Sequence, residues 1–139
     1  MSDGAPATVW PVLHYADTEG ALTFLVDVLG FRAVLLARDD DARIQHAELR
    51  WPDGGTVLFG WAGHTDGVHG DVGRGTAAMY VPTTDVDAVH GRLVTSGRGT
   101  VVAGPHRTTF GSGDDAYALT VSDPEGHLWT FGTYRGAPG

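Results

Sequence analysis

The chain of 139 residues contains no cysteine and no lysine. Without cysteine there are no disulfides, no thiolate metal ligands and no cysteine nucleophile. Without lysine, all nine cations are arginines, set against 17 acidic residues for a net charge of −8. Nucleic-acid binding needs a Lys/Arg surface to replace phosphate counterions, so no nucleic-acid partner is expected. An acidic surface of this kind either attracts cationic small molecules or simply keeps the protein soluble. No apolar run approaches the roughly 18 residues that a membrane span requires, so no membrane partner is expected. The start, Met1-Ser2-Asp3-Gly4-Ala5-Pro6, lacks the basic flank and apolar core of a secretory signal, and a cytoplasmic location is the expectation.

What is present is a repeat. Trp51-Pro52-Asp53-Gly54-Gly55-Thr56-Val57-Leu58-Phe59-Gly60 returns, from Pro52 to Pro124 72 positions on, as Asp123-Pro124-Glu125-Gly126-His127-Leu128-Trp129-Thr130-Phe131-Gly132. Each copy reads as a tight turn feeding a short apolar strand that ends on glycine. Upstream, Ala21-Leu22…Leu29-Gly30 returns 67 positions later as Ala88-Val89…Ser96-Gly97. An internal repeat constrains a fold more strongly than local propensity does. The 139 residues therefore form two interdependent modules, at about 8–62 and about 75–135, joined by a Gly-rich loop at about 62–75.

Each module reads β-α-β-β-β. In the first, Val9 to Tyr15 is a strand, and Asp17 or Thr18 caps a helix that runs to Leu29 and stops at Gly30. Its buried stripe is Ala21, Leu22, Leu25, Val26 and Leu29. Strands follow at 33–37, 44–51 and 56–61. In the second, 77–81 is a strand, and Thr84 caps a helix with stripe Val86, Val89, Leu93 and Val94, ended by Gly97. Strands near 101–102, 117–122 and 128–134 complete it. Gly104 to Asp114, with Pro105, His106, Arg107 and Phe110, reads as a mobile lid.

Paired units of this order, with Asp17…Ala21…Phe24-Leu25…Leu29-Gly30-Phe31 and Asp123-Pro124-Glu125-Gly126-His127-Leu128-Trp129, resemble the vicinal oxygen chelate superfamily. That group includes glyoxalase I, bleomycin-resistance proteins, fosfomycin-modifying enzymes and ring-cleaving dioxygenases. The resemblance implies an α+β fold of two tandem βαβββ modules whose curved sheet surrounds a shared cavity, usually in a homodimer. It also implies up to four His, Gln or Glu metal ligands on the first and last strands of each module. The matching positions here are about Trp10, Leu58, Ala77 and Thr130, which do not make a ligand set. No metal cofactor is therefore expected in the leading reading. A metal-free member of the family would bind a bulky aromatic or cationic drug-type ligand, or catalyse without a metal.

Alternation puts Trp10, Val12 and His14 on one strand face, which the family geometry turns into the cavity. The 72-residue correspondence pairs His46 and Glu48 with Ala118 and Thr120, so both should face the same way. Three readings of His14, His46 and Glu48 stay open. They form a general acid/base or ligand-contacting pair beside His14, a relocated metal site, or a polar cluster that satisfies itself. Trp10 either stacks on a flat ligand or plugs the vacated site as a core ring. Arg107 and Phe110 would contact ligand from the lid. Trp129, Phe131 and Tyr80 should be core, and His127 a structural turn residue. The leading expectation is a small-molecule binder using Trp10, His14, His46, Glu48, Arg107 and Phe110. The competing one is an enzyme with His46 and Glu48 as acid and base, or as part of a divalent-metal site.

Overall fold

The computed structural model of the chain describes residues 9–63, 77–109 and 115–135. The chain divides into two compact units, Met1–Arg74 and Gly75–Gly139. The first contains β1 (Val12–Tyr15), α1 (Thr18–Thr23), β2 (Arg32–Arg38), β3 (Ile44–Arg50) and β4 (Thr56–Trp61). The second contains β5 (Ala78–Pro82), α2 (Val86–Ser96), β6 (Thr100–Thr109), β7 (Asp115–Ser122) and β8 (Leu128–Gly132). Each folds into one four-stranded sheet, ordered β1-β4-β3-β2 and β5-β8-β7-β6. The outer pairs β1/β4 and β5/β8 run parallel and the remaining neighbours antiparallel. Among the described residues, no helix is long and apolar enough to cross a membrane.

One face of each sheet is core. In the first unit Leu13, Tyr15, Ala47, Leu49, Val57 and Phe59 are buried, with Tyr15 edge-on to Phe59 at 5.4 Å. In the second, Leu119, Val121, Trp129 and Phe131 are fully buried. Burying each such side chain contributes roughly 1.5–3 kcal/mol. Asp17 caps α1 by accepting from the Gly20 amide at 2.9 Å.

Beyond Thr23 the expected α-helix continues as a π-wound turn, Phe24–Leu29. Both Gly30 and Phe31 donate to the Leu25 carbonyl, and Gly30 sits at φ 110. Phe24 and Val28 are buried beside Leu25 and Leu29, while Leu22 and Val26 are half-buried. Ala21, Phe24, Leu25 and Val28 are spaced i, i+3, i+4 and i+7, so the expected stripe, with Leu22 and Val26, is turned one position off the buried one.

Three details of the second unit differ from the sequence expectation. Asp85, not Thr84, caps α2, accepting from the Ala88 amide, while Thr83 Oγ1 accepts from the Asp85 amide. Val94 is 61% exposed, so the stripe is Val86, Val89 and Leu93. Most consequentially, β6 runs through Thr109, and Gly104 to Thr109 is strand rather than lid. Its β-branched ends favour a strand. The Gly104-Pro105 pair falls in a register shift between Ala103↔Thr120 and His106↔Ala118. A proline is tolerated there because β6 is an edge strand with a bulge. The rest of the expected lid, with Phe110, and the histidines His64 and His69 lie outside the described residues.

Candidate ligand-binding face

The face of the first sheet opposite its core carries His14, His46 and Glu48. Parallel pairing of β1 with β4 sets His14 beside Gly60, and antiparallel pairing of β3 with β4 sets His46 on the other side of the same glycine. With neighbouring strands about 4.8 Å apart, the two histidine backbones are about 10 Å apart. The next row is Val12, Leu58, Glu48 and Leu35. His14, His46 and Glu48 therefore share one face.

Gly60 keeps this face open. A Cβ there would lie 3.3 Å from the Gln45 carbonyl oxygen and 3.9 Å from His14 Cδ2. His14 is 8% exposed, tucked against the glycine. His46 and Glu48 are reachable: their side chains are 42% and 29% exposed, with Nε2 3.1 Å from Oε2. An ionised carboxylate only accepts hydrogen bonds, so Nε2 of a neutral His46 is the donor and Nδ1 the remaining acceptor. The pair thus presents a base nitrogen and a carboxylate side by side.

Trp10, 38% exposed, stands two residues before Val12, where the Leu58 amide donates to the Pro11 carbonyl at 3.0 Å. It is not the buried plug that one reading allowed. Arg107 is exposed but strand-held, opposite Tyr117 in β7. Tyr117 Oη donates to Asp87 Oδ1 of α2, so Arg107 occupies the helix-bearing side of its sheet. That hydrogen bond, with burial as a lesser cause, raises the Tyr117 phenol above its ordinary 10.0. Burial also raises Tyr80 above 10.0, against the opposing effect of its 2.6 Å bond to the Tyr134 carbonyl.

These features occur in a chain whose residues 9–131 match the sequence profile of the Glyoxalase/Bleomycin resistance protein/Dioxygenase superfamily. The chain belongs to that superfamily. Among solved structures it is similar to TioX from Micromonospora sp. ML1, at 29% identity and TM-score 0.76 over 95% of this chain and 100% of that one. A glyoxalase/bleomycin resistance protein from Streptomyces sp. CB03234 is 22% identical, with TM-score 0.65 over 90% and 98% of the two chains. Lactoylglutathione lyase from Agrobacterium tumefaciens is 19% identical, with TM-score 0.62 over 93% and 94%. The last two share the fold alone. No curated protein matches the chain.

The divalent metal of the superfamily's enzymes does not fit these residues. Leu58 is apolar, and Thr130 Oγ1 is 2.8 Å from Thr120 Oγ1, in a hydroxyl–hydroxyl bond. An indole, a leucine, an alanine methyl and a threonine do not form an imidazole/carboxylate donor set. Among the described residues, no group of three or more His, Cys, Asp or Glu side chains could hold a metal ion.

The burial of one aromatic differs from the sequence expectation. Tyr80, expected in the core, is 37% exposed on the open face of the second sheet. Its place beside Thr130 in the β5/β8 register was the available signal.

Proposed function

We propose that this superfamily member is a metal-independent small-molecule binder, taking a flat aromatic or cationic ligand against Trp10, His14, His46 and Glu48. The observation that carries the reading is the half-exposed His46–Glu48 pair at 3.1 Å, on an open sheet face with apolar neighbours Val12, Leu58 and Leu35. A polar pair set among apolar side chains is the composition of a ligand site. Arg107 is not part of this site, because it lies on the helix-bearing side of its sheet, and Phe110 lies outside the described residues. A single domain of two modules, assembled as a cytoplasmic homodimer without nucleic-acid or membrane partners, completes the proposal.

The same hydrogen bond favours a second reading, an enzyme that uses His46 as base with Glu48 orienting it. Elemental analysis after incubation with Mn, Fe, Co, Ni and Zn tests the first reading. It predicts no ion retained through gel filtration, and about one tightly held ion per chain would overturn it. Glu48→Gln separates the two readings, because a binding site loses affinity and has no turnover to lose, whereas an enzyme loses turnover with the fold retained.

A further inference from the structure

The open face of the first sheet has a third row, next to the one that holds Glu48. There Arg32 of β2 is directly opposite Arg50 of β3, which in turn registers with Thr56 of β4. Both arginines are exposed. Like charges directly opposite in an antiparallel pair are unfavourable, so such a pair needs a counter-charge. Neither arginine has an acidic partner among the described residues.

The carboxylate best placed to neutralise them does something else. Glu48 is two residues from Arg50 on the same strand face, yet its Oε2 is turned to His46 Nε2. The two guanidiniums are left together in a chain whose net charge is −8. Their backbone is pinned from below. Phe31 and Trp51, the neighbours of Arg32 and Arg50, are buried at 6% and 7% exposure, with ring centroids 5.0 Å apart. Trp51 also exchanges backbone bonds with the turn, its amide donating to Gly55 and its carbonyl accepting from Gly54. The arginine row is thus a fixed feature of the sheet, not two side chains on a loop.

Across this face the rows read arginine pair, apolar residues around one carboxylate, then imidazole. Successive rows on one strand are about 6.8 Å apart, so Arg50 and His46 are separated by about 13.5 Å of strand. We infer that Arg32 and Arg50 form an anion subsite, and that the ligand is an aromatic acid. Its carboxylate, sulfate or phosphate meets the two guanidiniums, its ring covers Leu35, Leu58 and Val12, and a hydroxyl at its far end donates to the His46–Glu48 pair. Planar guanidinium forks match such oxyanions in bidentate fashion, which a single lysine could not do. The inference rests on the small-molecule reading and narrows it from aromatic or cationic ligands to aromatic anions.

The test is calorimetric titration with three probes: 6-hydroxy-2-naphthoate, its neutral carboxamide, and inorganic sulfate. The naphthoate should bind about tenfold or more tightly than the carboxamide, a preference that weakens between 50 and 500 mM NaCl. Arg32→Gln/Arg50→Gln should erase that preference, leave carboxamide affinity unchanged and keep or raise Tm, since a like-charge contact is removed. Equal affinity of naphthoate and carboxamide for the wild type would overturn the anion subsite while leaving the small-molecule site standing. A preference that survives in the double variant would place the anion elsewhere and overturn it too. Sulfate binding as tightly as the naphthoate would overturn the aromatic part of the assignment. Binding of neither naphthalene would overturn this inference together with the wider reading of the face.

Discussion

The two units share a backbone plan and use it differently. Val12, His14, His46, Glu48, Leu58 and Gly60 of the first correspond in register to Tyr80, Pro82, Ala118, Thr120, Thr130 and Gly132 of the second. Both copies keep the glycine. In the first, Gly60 leaves space between two imidazoles. In the second, Tyr80 fills the equivalent space: its Oη would be 2.8 Å from a Cβ on Gly132 and donates to the Tyr134 carbonyl at 2.6 Å. Thr120 and Thr130 satisfy one another. The second face has its polar groups closed on themselves, and the first leaves an imidazole and a carboxylate half-exposed.

The repeated turns diverge in the same sense. Their backbone bonds are equivalent, Trp51 to Gly55 and Gly54 to Trp51 in one, Asp123 to His127 and Gly126 to Asp123 in the other. The second adds a buried brace. Asp123, 3% exposed, accepts from the amides of Glu125 and His127 through Oδ1 and from Trp129 Nε1 through Oδ2. His127, 2% exposed, accepts the Ala77 amide on Nδ1. The two copies of the module thus differ, one leaving an imidazole and a carboxylate half-exposed and the other adding a buried hydrogen-bonded turn.

The largest effect that would sharpen this contrast is the loss of the brace. Asp123→Ala strands three donors, two of them in buried hydrogen bonds, and should lower unfolding free energy by about 3 kcal/mol or more, measured by urea denaturation. A loss below about 1 kcal/mol would show that the turn stands on its backbone bonds alone. Next is the filled glycine. Gly132→Ala must displace the Tyr80 ring and should cost about 1–3 kcal/mol, largely recovered in Tyr80→Ala/Gly132→Ala. Gly60→Ala, whose Cβ meets ordinary contact with His14 and a tighter one with Gln45 O, should cost less. Equal costs would erase the distinction between the two slots.

Trp10→Ala and Glu48→Gln act on the open face, where stability should change by no more than about 0.5 kcal/mol. Trp10→Ala should weaken ligand affinity about tenfold, read by calorimetry, and wild-type affinity would remove Trp10 from the site. The smallest effect is at high pH. Because Asp87 holds the Tyr117 phenol above 10.0 in the fold, its contribution to stability is complete below pH 10 and drains as pH rises through the folded value. Tyr117→Phe should lower stability slightly at pH 7, where the hydrogen bond to Asp87 contributes in full, and flatten the stability–pH curve above pH 10.

Much of this was legible in the sequence because the repeat registers one module on the other. Alternation from the Pro-Asp-Gly and Pro-Glu-Gly turns places His46 and Glu48 on the open face and Trp129 and Phe131 in the core, as the sheets have them. What was not legible depends in one place on a departure from regular period. The Gly104-Pro105 bulge lets a strand pass through what reads as loop chemistry. Tyr80 was misread because its burial is decided by Gly132, a cross-strand neighbour far away in sequence. The opposition of Arg32 and Arg50 likewise appears only once β2 and β3 are in register.

The central claim is that the first unit's open face, and not its counterpart, is the ligand site. Replacing its pair with the residues of the second unit, His46→Ala/Glu48→Thr, tests that directly, with a panel of flat aromatic cations and anions read by thermal shift. The account predicts that compounds raising the wild-type Tm leave that of the variant unmoved, while the unliganded Tm values agree within a few degrees. Equal ligand-induced shifts in the two proteins would contradict it.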